Sequence, residues 1–409
     1  MAVSVSEFNS DDYDCIGFDL DNTLVEYVEF ELVTLIYDIS ANYLVNHREY
    51  DAEDILRPIT EDIDFLRKGL TLDMERGNVL SLGSDGTVLR VCHGTEVLEE
   101  EDIKRIYGPD KKWDLAVEHC QDFLNTWNGE NADRIRSSLD YFDMSVPLLF
   151  ARIVDGIDRK NGNKPLEKYD IWSHILEAVF YVYRTETFID NTGEYYREVK
   201  QNPSKYLKKC STKFLEWLKS LKASGKLVFL ITGSKNDYGN YIADYCLTEN
   251  WQDYFQVIVY FAKKPGFFVQ NRPFLRCDSN DIVKELNLES ENSFMEGNWS
   301  QLYDLFCECT GKTNPKCLYI GDNLIQDIFT PAFYKCCDTI AVAKELLMEE
   351  HPNEVLFCSK RWGSFFYDDL NNRYTVWGNV IKKYSKLCIP SLQWFVDQSL
   401  QKTYKQLEY

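Results

Sequence analysis

The stretch Cys15-Ile16-Gly17-Phe18-Asp19-Leu20-Asp21-Asn22-Thr23 decides how the rest of the chain is read. Apolar residues ending abruptly in two acids predict a buried strand that leaves a sheet at its carboxyl end. Open α/β sheets place their ligands and chemistry at that edge. In extended chain, residues i and i+2 project to the same side, so Asp19 and Asp21 are directed at one point. Two close carboxylates repel, and a divalent cation or a raised pKa on one of them must relieve the repulsion. One acid beside a metal can attack as a nucleophile, while the other, kept protonated, donates to a leaving group. Read alone, the same residues also describe a strand followed by an Asx/Thr turn. The rest of the chain decides between the two.

Working outward, three more apolar runs end in polar residues. Leu227–Ile231 is followed by Thr232-Gly233-Ser234, whose hydroxyls and backbone N–H groups suit phosphate oxygens in the manner of an anion nest. Phe255–Phe261 runs into Lys263-Lys264-Pro265, and one lysine beside the acids, Lys264, would neutralise both a phosphoryl group and an attacking carboxylate. Cys317–Ile320 ends at Gly321-Asp322-Asn323, with Asp327 five residues beyond Asp322. A carboxylate on a turn after a strand is a natural magnesium ligand, because Mg2+ takes hard oxygens and keeps several waters. Each of these is ordinary turn chemistry by itself. Their recurrence at the ends of apolar strands is what assembles a site.

Between these strands the pattern predicts helices over Tyr27–Val45, Tyr206–Leu221, Tyr238–Leu247 and Leu302–Cys309, with a last strand at Thr339–Ala343. Strands alternating with helices imply an α/β fold with a doubly wound, mostly parallel sheet. Leu70–His93 has a different texture, with turn signals at Gly77-Asn78 and Asp85-Gly86 that predict a β-meander or hairpin pair. Glu96–Arg184 reads as mainly helical, Asn191–Lys205 as a linker and Pro273–Trp299 as an irregular excursion. The domain reading is a discontinuous core of residues 12–45 and 200–366, with an insert of residues 46–199. The insert holds the β-hairpin element (about 69–93) and a helical cap (about 96–190). Residues 367–409 are read as a helical tail packed on the core.

The bulk properties exclude several functions. With 66 acidic against 45 basic residues the net charge is −21, a surface that repels long nucleic acid and anionic membranes. A small phosphate ester remains compatible wherever lysines and a metal reverse the sign locally. A hydrophobic content of 44%, with 26 Tyr, 24 Phe and 9 Trp, describes a folded chain with large cores. Its apolar runs are too short to span a bilayer. The 13 cysteines form no CxxC pair, and the polar start of the chain is unlike a leader. A soluble protein with reduced thiols, located in the cytoplasm, is expected. The aromatic tail leaves open both burial within one chain and a homo-oligomeric contact. Tyr141, Phe142, Trp172 and His174 have the spacing of core residues and are not assigned to a binding site.

Four segments together resemble the motifs of the haloacid dehalogenase superfamily: Phe18-Asp-Leu-Asp-Asn-Thr-Leu24, the hydroxyl after Phe229-Leu-Ile, Lys264-Pro265, and Tyr319-Ile-Gly-Asp-Asn-Leu-Ile-Gln-Asp327. Gly77-Asn-Val-Leu80, Gly86-Thr-Val-Leu-Arg90, His93-Gly94, Ala262-Lys-Lys-Pro-Gly-Phe-Phe268 and Trp362-Gly-Ser-Phe-Phe366 are similar to its cytosolic purine 5'-nucleotidase branch. Gly233 stands where that branch carries asparagine. The resemblance implies a Rossmann-like core with an inserted cap that closes over substrate. It implies that Asp19 attacks phosphorus and forms an aspartyl-phosphate, and that Asp21 protonates the leaving oxygen and then activates water. Thr232, Gly233, Ser234 and Lys264 would bind the phosphoryl group. Mg2+ would sit on Asp19, the backbone carbonyl of Asp21, and Asp322, with Thr23 and Asp327 in support. The function implied is a Mg2+-dependent phosphomonoesterase for nucleoside 5'-monophosphates. A phosphatase for another small ester, and a non-catalytic interaction protein that retains the site, are the rival readings.

Overall fold

The computed structural model of the chain describes residues 8–128, 130–288, 291–347, 359, 361–397 and 403–404. By contact the chain divides into two compact units, one of Met1–Val28, Pro203–Leu347 and Val380–Tyr409, the other of Glu29–Asn202 and Met348–Asn379.

The first unit is built on a nine-stranded sheet. Its strands are β1 (Cys15–Phe18), β2 (Leu227–Ile231), β3 (Val257–Tyr260), β4 (Phe274–Arg276), β5 (Ile282–Val283), β6 (Ser293–Glu296), β7 (Cys317–Gly321), β8 (Asp338–Val342) and β9 (Leu387–Ile389). The spatial order is β5-β4-β6-β3-β2-β1-β7-β8-β9. Only the β5–β4 and β4–β6 pairings are antiparallel. After β1 the chain lays down β2 and β3 on one side, then returns to place β7, β8 and β9 on the other. The order therefore reverses at β1, and ligands of open α/β sheets bind at such a switch point. Phe18 lies opposite both Leu230 and Ile320, so β1 and its two neighbours end nearly level.

Every residue of β1, β2, β3 and β7 is buried. This accounts for their continuous apolar runs, since parallel strands covered on both faces have no polar side to show. Gly17 is required where it stands, because a Cβ there would lie 2.1 Å from the Phe229 ring. Phe229 packs on Phe306 and stacks on Tyr319, with ring centroids 4.7 and 6.3 Å away. Truncating such a buried ring costs about 3–5 kcal/mol.

Three sequence expectations are corrected in this unit. Residues 273–299 are not simply irregular, for they supply β4, β5 and β6, and β6 pairs parallel with β3. These edge strands are two to four residues long and interrupted by polar residues, too short to show a period. Nor is the strand at Asp338–Val342 the last, because Leu387–Ile389 of the expected helical tail joins it in parallel as β9. Part of that tail, residues 398–402 and 405–409, lies outside the described residues. The helix expected to begin at Tyr206 begins at Thr212, where the Ser211 hydroxyl accepts a bond from the Phe214 N–H at 3.1 Å. Leu207–Lys208 instead pairs antiparallel with Glu26–Tyr27.

In the second unit, helix Glu29–Arg48 packs along Trp172–Val182, with Leu32, Val33, Ile36 and Leu44 among its buried residues. The contact boundary therefore precedes this helix, whereas the sequence reading placed it in the core. Thr71–Asp73, Asn78–Leu82 and Val88–His93 form the antiparallel meander predicted from the turn signals, within a five-stranded sheet. Gly77 and Gly86 take φ of 70° and 77° at its turns, the left-handed region that glycine enters without penalty. Among the described residues no helix is long and apolar enough to cross a membrane.

Candidate active site

Four strand ends of the first unit carry the polar residues singled out above. Beyond β1 the backbone turns back on itself, and the Leu20 carbonyl accepts from the N–H groups of Leu24 and Val25 at 3.0 and 2.8 Å. Asn22 makes the turn at φ 55°, a conformation its short amide side chain tolerates. Asp19, Asp21, Asn22 and Thr23 are all buried. The ends of β2 and β3 are tied together, since Ala262 N–H donates to the Thr232 carbonyl at 3.0 Å and Phe261 N–H to that of Ser234 at 2.8 Å. Phe261 and Lys263, both just ahead of Lys264, lie at φ 44° and 52°, strained values for such side chains.

Lys264 is the electrostatic centre. Its ammonium pairs with Asp19 Oδ1 at 2.9 Å and with Asp327 Oδ1 at 2.6 Å, and donates to the Tyr319 hydroxyl at 3.1 Å. Tyr319 in turn donates to the Ile231 carbonyl at 2.8 Å, which fixes it between β7 and β2. The side chain of Lys264 is 2% exposed. Burial disfavours its charge, but Asp19 and Asp327 outweigh that and raise its pKa.

Asp327 reaches the cluster because the local backbone makes room. A Cβ on Gly321 would stand 2.5 Å from that of Asp327. The Asn323 side chain caps the following helical turn, accepting from Ile325 and Gln326 N–H at 3.2 and 3.1 Å, and Asn323 N–H donates to Asp327 Oδ2 at 3.1 Å. Burial pushes the Asp19 carboxyl well above the usual carboxylate range, against the pull of Lys264. It raises Asp327 as well, again against Lys264.

One carboxylate oxygen from each of Asp19, Asp322 and Asp327 lies within 4.8 Å of the others, the one such group among the described residues able to hold a metal ion. Lys264 pairs directly with Asp19 and Asp327, and the three converging carboxylates offer the hard oxygens that a divalent cation of the Mg2+ class takes. The ligand set expected from sequence joins the Asp21 backbone carbonyl to Asp19 and Asp322 with Asp327 in support, and the side chains of Asp19, Asp322 and Asp327 are the ones that converge.

Asp21 is held separately. Tyr27 Oη donates to its Oδ1 at 2.7 Å, and Ser234 Oγ to its Oδ2 at 2.7 Å. Thr232 Oγ1 lies 3.4 Å from the same Oδ2 and accepts from Ser234 N–H at 3.0 Å. Burial raises the Asp21 pKa against these hydrogen bonds. Gly233 faces open space, with nothing within 4 Å of where a Cβ would be. The hydroxyls proposed from sequence as phosphate ligands thus meet Asp21. Among the described residues the buried Thr23 hydroxyl and the Asn22 amide find no hydrogen-bond partner.

Sequence reasoning missed Tyr27, Tyr319 and Tyr238, whose hydroxyl is 3.3 Å from that of Tyr27. Tyr319 sits inside an apolar strand and reads as core. Tyr27 lies six residues beyond Asp21 with no periodic signal to connect them.

The switch point of the sheet and the lysine-centred acids lie together at one edge, and comparison with known proteins gives the family. The model of the 5' nucleotidase family matches residues 4–356. The chain is 34% identical over 415 residues to human 5'-nucleotidase domain-containing protein 1, an alignment covering 93% of this chain and 89% of that protein. The bovine protein of the same name is 35% identical, with the same coverage. Rat 5'-nucleotidase domain-containing protein 2 is 24% identical over 79% of this chain and 55% of its own length. The chain belongs to the 5' nucleotidase family, and with that membership it is a hydrolase of phosphoric monoesters.

Proposed function

We propose that the protein is a Mg2+-dependent phosphomonoesterase that hydrolyses nucleoside 5'-monophosphates in the cytoplasm through an aspartyl-phosphate on Asp19. The observation that carries the reading is the division of labour between the two acids of the first strand end. Asp19 shares Lys264 with Asp327, while Asp21 is held by hydroxyls. The family description and the names of the relatives support the substrate class. Reversal of strand order about β1 supports the doubly wound core. An insert of residues 46–199, with a β-hairpin element (about 69–93) and a helical cap (about 96–190), remains our proposal for the second domain.

In the first step an Asp19 carboxylate oxygen attacks phosphorus, and the bond from phosphorus to the ester oxygen breaks. The proton on Asp21 goes to that oxygen, which leaves as an alcohol. Burial favours the protonated form of Asp21 that this step needs. In the second step Asp21, now a carboxylate, takes a proton from water as the water attacks phosphorus, and the bond to Asp19 breaks to release phosphate. Lys264 keeps Asp19 oriented throughout and offsets charge on the transferring group. Thr232 and Ser234, whose hydroxyls rotate about single bonds, turn to the phosphoryl oxygens. Asp19, Asp322 and the Asp21 carbonyl would hold Mg2+, with Asp327 and Thr23 in support. When bound, the ion supplies charge neutralisation at the phosphoryl oxygens.

The test is phosphate release from nucleoside monophosphates and sugar phosphates, with Mg2+ and with chelator, beside an Asp19→Asn control. Metal-dependent release that disappears in the control is expected. Absence of release above the control across the panel overturns the proposal.

A further inference from the structure

Resting on the phosphomonoesterase reading above, we propose that Tyr27 is a positioning residue for proton delivery by Asp21, and that it makes the enzyme competent for esters with poor, alkoxide leaving groups. Tyr27 is fully buried. It stands on a two-residue strand whose pairing is fixed on the backbone, with Tyr27 opposite Leu207 and Val28 N–H bonded to the Tyr206 carbonyl at 2.8 Å. Its phenol donates to Asp21 Oδ1 at 2.7 Å. Tyr238, on the helix Asn236–Cys246 that follows the Thr232-Gly233-Ser234 loop, places its hydroxyl 3.3 Å from that of Tyr27. The two hydroxyls are within hydrogen-bond distance, so Tyr238 extends the chain from Asp21 through Tyr27, and the bonds of such a chain strengthen one another.

The two oxygens of Asp21 are thus treated differently. Oδ1 is bonded to a phenol carried on a rigid ring and a paired strand. Among the described residues Oδ2 meets the hydroxyls of Ser234 at 2.7 Å and Thr232 at 3.4 Å, which swing away about one torsion. Anchoring Oδ1 fixes the plane of the carboxyl group and assigns proton transfer to Oδ2. During formation of the Asp19–phosphorus bond, the electron pair of the breaking ester bond goes to the leaving oxygen, and the proton on Oδ2 neutralises it. An alkoxide requires that proton as it departs, whereas p-nitrophenolate is stable enough to leave without it.

The experiment compares kcat/KM for a nucleoside 5'-monophosphate and for p-nitrophenyl phosphate in wild type, Tyr27→Phe and Tyr238→Phe, each first checked for cooperative thermal unfolding. kcat/KM is the right quantity because it reports phosphoryl transfer to Asp19 and not the later hydrolysis. Tyr27→Phe is expected to lose about tenfold on the nucleotide with KM within about twofold, and to lose about twofold or less on p-nitrophenyl phosphate. Tyr238→Phe is expected to shift the ratio the same way by about two- to threefold, and it carries the test alone should Tyr27→Phe not fold. Equal losses on the two esters, or no change in the ratio, overturn the inference while leaving the phosphatase reading intact. A wild-type protein that releases phosphate from neither ester overturns both.

Discussion

Arg152 and Lys264 are both buried cations, and they keep opposite company. Arg152, in the second unit, is fully buried and meets one carboxylate, Asp62, at 2.8 Å. Its remaining N–H groups are taken by the Tyr37 hydroxyl at 2.9 Å and by the carbonyls of Arg57 and Pro58 at 2.6 and 2.8 Å. Charge and hydrogen bonds balance there, so nothing further is required. Lys264 is surrounded by acids in excess, and burial leaves Asp19 and Asp327 with raised pKa values. A buried charge with matched partners holds a fold together, while one with surplus opposite charge leaves electrostatic energy that only a cation or a proton can relieve. The imbalance is what separates a site from a core.

The contrast can be broken at either end. The largest effect is expected from Asp19→Asn, which should lower phosphate release by about 10³-fold or more, because a residue that forms the covalent bond has no substitute. The same change relieves repulsion in the cluster, so its thermal midpoint without metal should not fall below that of wild type. Removing the balanced cation, in Arg152→Met, takes from Asp62 its nearer cation, leaving Arg57 at 3.3 Å, and takes from the Arg57 carbonyl its donor at 2.6 Å. It should cost about 3–5 kcal/mol in denaturant unfolding, with no recovery on adding Mg2+. Stabilisation of the wild type by Mg2+ sharpens the contrast further. At about one hundred times its dissociation constant the ion should add about 2.7 kcal/mol, and Asp322→Asn should abolish most of that gain.

The smallest effect concerns pH in the second unit. His119 is buried between the hydroxyls of Thr126 and Ser137, at 2.5 and 2.9 Å, and burial pushes its pKa down to about 3. The folded state therefore binds this proton more weakly than the unfolded chain, whose histidine titrates near 6.5. Stability is retained above that value and lost as pH falls below it, by about 2 kcal/mol between pH 7.5 and 5. Chemical unfolding at the two pH values checks the slope, and His119→Gln should flatten it.

Much of the site was legible because its residues follow long apolar strands. Asp19, Asp21, Thr232, Lys264 and Asp322 each lie within a few residues of a strand end, where hydropathy changes sharply. Asp327 was legible only through its spacing from Asp322. Residues such as Tyr319 and Tyr27 were not legible, since a buried tyrosine that orients a charged group looks the same in sequence as one that fills space. The short edge strands and the ninth strand were missed for a related reason. A strand of two to four residues has too few alternations to declare itself, and it is stabilised by the edge it joins.

By itself, then, the sequence determined the parallel α/β core, the order in which strands deliver acids and lysine to one edge, and the chemistry those residue types permit. These follow from hydrophobic periodicity and local turn preferences, which act within a few residues. Tertiary structure alone decided that Asp327 shares Lys264 with Asp19 while the Asp21 side chain is given to Tyr27 and Ser234. It also placed helix Glu29–Arg48 with the second unit. Those outcomes depend on burial and on charges brought together from distant positions, and the balance among such charges exists only once the chain has folded.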